Sequence, residues 1–244
     1  MRASEPFHFY SQVHLPQLTG LKARNLKDLL YHVRNVPGAV IYHHTHHFLQ
    51  QHQFLSPEPP NDFAYWVAEA LNEVKLGEQL ASINTIEFSS LRALREKIAE
   101  TIERYLNNAK GPLKEANEGH ELYFIKSLSF IFPTPYEVWT LPEFLEALRK
   151  VTISSLYFHM FEARLRNEKS SNDFSLWLES GLGENELARK IARLDPYTHT
   201  IEGLRNRIIR LAEERISRQS LTPSRSTVTA GEAAAVQTPK GEEI

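Results

Sequence analysis

Cysteine is absent from the 244 residues, which removes disulfide scaffolds and every thiolate-based nucleophile or metal site. No apolar run approaches the roughly 20 residues that a membrane-spanning helix needs. The opening MRASEPFHFY lacks the apolar core of a secretory signal. A basic excess is missing as well: the formal net charge is -2, whereas nucleic-acid binders concentrate positive charge. No P-loop, dinucleotide fingerprint, GxSxG or paired-carboxylate spacing is present. These absences point to a cytoplasmic protein with neither a nucleic-acid nor a membrane partner.

What is present is internal similarity. LKDLLYHVRNVPGAVIYHH (26–44) aligns without a gap on LPEFLEALRKVTISSLYFH (141–159), so that position 44 meets 159. NDFAYWVAEALNE (61–73) aligns on NDFSLWLESGLGE (172–184), and LREKIAETIE (94–103) on LRNRIIRLAE (204–213). Three colinear blocks predict a duplicated unit. The expected division is residues 1–106 for unit one, 107–121 for a linker, 122–216 for unit two and 217–244 for a disordered tail. NNAKGPLKEANEGH has the Asn, Gly and Pro of a connector, and the tail is polar and aperiodic.

Each unit opens on an aromatic stretch, FHFYSQVHL or ELYFIKSLSFIF, that suggests a short strand. Helices follow. Asn25 and Thr140 stand three residues before Asp28 and Glu143, the capping-box spacing, and Asn61 and Asn172 cap the helices that begin at NDF. Phe63, Trp66, Val67, Ala70 and Leu71 recur at helical steps, which makes both Trp66 and its match Trp177 core residues. The expected fold class is mainly α: two tandem pseudo-symmetric helical repeats with a minor strand component.

Five histidines fall within VIYHHTHHFLQQH (40–52). On a helical wheel Ile41 and Phe48 mark the inward stripe, with His44 at its edge, and His159 takes the same place in the second block. His43, His46 and His47 fall on the other side, predicted to face solvent; their matches are Phe158, Phe161 and Glu162. The inward histidines lie near Asp62 and Asp173 in sequence, so His44–Asp62 and His159–Asp173 read either as oriented acid/base pairs or as polar clips between helices. The clip is preferred, because no nucleophile or oxyanion loop accompanies either pair. His43, His46 and His47 have the three- and four-residue spacing that can hold zinc or another divalent metal, although an open imidazole trio is a weak site. His44 after His43 excludes the zincin pattern, which needs glutamate there. SPEPP (56–60) reads as a stiff connector.

The YHH…NDFAYW and YFH…NDFSLW blocks resemble a bacterial and archaeal domain family of unknown function, with a histidine closing an aromatic step and an acidic-Phe-x-x-Trp helix start. The pattern falls on His44, Asp62, Phe63 and Trp66, and on His159, Asp173, Phe174 and Trp177. The resemblance implies no activity. The expected function is a non-catalytic binding or regulatory module for a protein or small ligand, without a cofactor; the rival is a metal-dependent hydrolase on His43, His46 and His47.

Overall fold

Two strands of 17 residues each organise the molecule. A computed structural model describes residues 2–51, 61–163, 165, 171–194 and 200–221; for 47–51, 86 and 219–221 the description covers the backbone only. The SPEPP strip and the chain from 222 onward lie outside these residues. Strand β1 (Phe7–Ala23) pairs antiparallel with β2 (Leu122–Val138), from Phe7 opposite Val138 to Ala23 opposite Leu122. At about 3.3 Å per residue the ribbon runs roughly 55 Å. Register shifts between His8 and Tyr10, and between Leu18 and Lys22, break the ladder near both ends.

Helices surround the ribbon: α1 (Leu26–Asn35), α2 (Gly38–Gln51), α3 (Asp62–Glu69), α4 (Val74–Ala81) and α5 (Leu91–Asn108) after β1. After β2 come α6 (Leu141–Lys150), α7 (Ile153–Tyr157) with a π-type turn (Phe158–Glu162), α8 (Asp173–Ser180), α9 (Asn185–Ala192) and α10 (Ile201–Leu221). Their starts follow the sequence signals. Asn25 accepts from the backbone N–H of Lys27 and Asp28, Asn61 from Ala64, and Asn172 from Ser175. Thr140 and Glu143 complete a reciprocal capping box. Arginines close two helix ends: buried Arg205 donates to the carbonyls of Leu148 and Val151, and half-buried Arg95 to that of Val36.

The expected mainly helical pair of tandem repeats is overturned. The protein is mixed α/β, ten helices among the described residues with a two-stranded antiparallel sheet, and no clear tandem repeat emerges. The physical reason is where each strand buries its aromatics. Phe7 and Phe9 leave the helices that follow them and join the core of Phe144, Phe174, Trp177 and Leu204. Leu122 and Phe124 join the core of Leu29, Phe63, Trp66 and Leu94. Phe9 stacks on Phe144 at 5.8 Å between centroids, and Phe124 lies 6.4 Å from Phe63. Each helical cluster is thus completed by the strand from the other half of the chain.

Trp66 and Trp177 are core residues with a polar task. Trp66 donates its indole N–H to His120 O at 2.7 Å, and Trp177 donates to Glu5 O at 3.0 Å, fixing the approach to each strand. Between the two apolar cores the helix-facing side of the ribbon turns polar. Gln12, His14, Ser127 and Ser129 occupy its middle, and Tyr42 and His43 of α2 reach His14 and Ser127 there.

Candidate functional site

His44 and His159 are nearly inaccessible, at 2% each. His44 Nδ1 lies 2.8 Å from Asp62 Oδ2, and its Nε2 accepts the Ile125 N–H at 3.0 Å. His159 Nδ1 lies 2.8 Å from Asp173 Oδ2, and its Nε2 accepts the Tyr10 N–H at 2.8 Å. A backbone N–H can only donate, so Nε2 carries no proton and Nδ1–H donates to the carboxylate. The sequence brings each histidine to its predicted aspartate. The strand amide on the other ring nitrogen was not foreseen, and it makes each imidazole a three-way junction of helix, helix start and strand. Neither ring keeps a free nitrogen for a substrate proton.

The predicted solvent-facing histidines require correction. His43 and His46 are buried, at 7% and 5%, because β2 and the turn after α7 cover the side of α2 that an isolated helical wheel leaves to water. His43 Nδ1 meets Ser127 Oγ at 3.0 Å. Thr45 gives its hydroxyl proton to Ile41 O, so its oxygen accepts from His46 Nδ1 at 2.8 Å. The His47 side chain lies outside the described residues. Among the described residues no group of three or more His, Cys, Asp or Glu is placed to hold a metal ion.

These histidines border a buried polar network that the sequence did not announce. Tyr42 donates its hydroxyl to Glu162 Oε1, and His14 Nε2 lies 3.2 Å from the same oxygen. His14 Nδ1 meets Ser129 Oγ at 2.7 Å. The His46 ring stacks on Tyr42, 5.2 Å between centroids and 7° from parallel, and Tyr157 donates to His46 O at 3.1 Å. Burial, with lesser contributions from Tyr157 and Glu162, holds the Tyr42 hydroxyl well above its usual value, so it remains a donor. Burial pushes the His46 imidazole down from 6.5 to about 4 against the opposing pull of Glu162, so the ring is neutral. The one available signal was Glu162 itself: a lone acid in the aromatic run YFHMFEA, standing where the first block has His47.

A pocket of about 320 Å³ opens beside this network. Its polar lining is Tyr42, Ser127, Ser129 and Glu162; Ala39, Leu91, Ile131, Phe158 and Leu165 form the apolar walls. Helix α2, strand β2 and the turn after α7 all contribute. Another pocket, about 380 Å³, lies between α9 and α10. Arg215 pairs there with Glu184 at 2.5 Å and Lys190 with Glu186 at 2.7 Å, and Arg189, Glu214 and Arg218 line it as well.

A family model described as DUF5752, a family of unknown function, matches residues 4–213. The chain belongs to this family. The match takes in both aspartate-paired histidines and every residue lining the pocket. A member-like solved structure, "The structure of OrfY from Thermoproteus tenax", is 30% identical, with a TM-score of 0.76 over 89% of this chain and 98% of that one. The exchanged-strand fold described for this DUF5752 chain is thus similar to one already solved. A comparison with curated proteins finds no match. Among the described residues no helix is long and apolar enough to cross a membrane.

Proposed function

We propose that the chain is a non-catalytic binding module whose small-molecule site is the pocket between α2, β2 and the turn after α7. The observation that carries this reading is the assembly of that pocket from segments distant in sequence, 39–42 with 127–131 and 158–165. A ligand seated there touches elements from both halves of the chain at once, which is the geometry a regulatory module needs to link occupancy to the packing of its halves. The histidine–aspartate pairs support it from the other direction, since both nitrogens of each ring are committed, one to a carboxylate at a helix start and one to a strand amide.

The test is a fragment screen on the full chain, read by backbone amide shifts. Hits should perturb Ala39, Ser129 and Phe158 and be lost in Ala39→Trp, which fills the mouth. Hits that cluster elsewhere, or that survive Ala39→Trp, would overturn the assignment. Elemental analysis of untagged protein tests the rival metal hydrolase on His43, His46 and His47: stoichiometric zinc, iron or manganese with hydrolytic turnover would replace the binding reading.

A further inference from the structure

Glu162 is the single charged residue among those lining the 320 Å³ pocket. Its side chain is only 14% exposed, and no Lys or Arg pairs with it among the described residues. Oε1 is taken by the Tyr42 hydroxyl and by His14, whereas Oε2 receives no hydrogen bond among the described residues. A carboxylate held in such a place is costly to desolvate and gains most from a positive partner. The His14 ring is committed on its far side to Ser129, so it serves as a fixed prop for Oε1. Two aromatic rings, Tyr42 and Phe158, also line the walls, and ring faces attract cations. Ser127 and Ser129 add hydroxyls, and Ala39, Leu91, Ile131 and Leu165 offer an apolar surface.

We propose that the pocket selects a small organic cation: a primary or secondary ammonium on a compact, largely apolar body, with the ammonium on Glu162 Oε2. This rests on the pocket reading given above and adds the charge class of its ligand. Anions are disfavoured because no basic side chain lines the cavity among the described residues and the carboxylate repels them. The size fits a small body, since about 320 Å³ sits at the low end of the roughly 300–1,000 Å³ that ligand pockets occupy.

The experiment uses three probes with one shared ring and different charge: tyramine, its alcohol analogue 4-hydroxyphenylethanol, and its acid analogue 4-hydroxyphenylacetate. Each is titrated into the full chain while the amides of 39–42, 127–131 and 158–165 are followed. Tyramine should saturate those shifts at a concentration at least about tenfold below the alcohol, and the acid should leave them unmoved. Glu162→Gln keeps both hydrogen-bonding neighbours and should erase the difference between amine and alcohol. Should that variant fold poorly, the comparison of the three probes on the unaltered protein decides by itself. Equal or tighter binding of the alcohol or acid at the same amides overturns the cation assignment and leaves the pocket reading intact. Silence from all three probes also overturns the cation assignment, while the pocket reading is judged by the wider fragment screen.

Discussion

A single imidazole holds three pieces of chain together on each side of this molecule. His44→Gln and His159→Gln remove an acceptor from a strand amide and a donor from a carboxylate in a near-dry setting. Each should lower stability by roughly 2–3 kcal/mol, seen as a shift of the urea midpoint with an unchanged slope. The aspartates should not be equal. Asp62 is 48% exposed and Asp173 17%, so Asp173→Asn should be the more damaging of the two by denaturant titration. His46 gives a pH dependence with a definite sign. Its folded value, about 4, lies below the unfolded 6.5, so the unfolded chain takes the proton first. The contribution is whole above pH 6.5 and is lost as pH falls toward 4, on the order of 3 kcal/mol in all. His46→Phe, which copies the residue matched to it at position 161, should flatten the fall of stability between pH 6.5 and 4. An unchanged pH profile in that variant would show that other groups carry it.

At the scale of elements, the decisive feature is which core each strand feeds. Phe9→Ala should destabilise by about 3–5 kcal/mol, and hydrogen exchange should quicken first in α6, α7 and α8 rather than in α1 to α3. Phe124→Ala should do the reverse. Loss of protection in the helices nearest in sequence would refute the exchange. Much of the helical layout was legible: Asn25, Asn61, Thr140 and Asn172 each cap the helix predicted from it. The His44–Asp62 and His159–Asp173 pairs were legible too, because both partners sit at helical positions fixed by local periodicity. Strand length was not. LPQLTGLK and IFPTPYE contain proline and glycine, which argue for an early end, yet a two-stranded ribbon is all edge and tolerates them. His43 and His46 were placed wrongly for a related reason: a helical wheel knows only its own helix, and the cover over that side comes from β2 and the turn after α7, more than 80 residues away.

For the whole molecule, the two halves depend on each other. A fragment ending near residue 118 holds β1 but not Leu122 and Phe124, so its core lacks two of its aromatic and aliphatic plugs. The complementary fragment lacks Phe7 and Phe9. Each alone should show little cooperative unfolding, and mixing them should restore a single transition together with native circular dichroism. Independent folding of either fragment would contradict this mutual completion. The pocket belongs to the same scale, because its lining exists only when both halves are joined, which is why no local motif could reveal it.

The bond from the Tyr10 amide to His159 spans 149 residues of sequence. During synthesis β1 leaves the ribosome long before its receptor is made, so the nascent chain carries Phe7 and Phe9 uncovered until α6 to α8 emerge. Maturation is therefore a late event rather than a domain-by-domain one, and premature termination anywhere before α8 leaves an aromatic strand open to proteolysis and self-association.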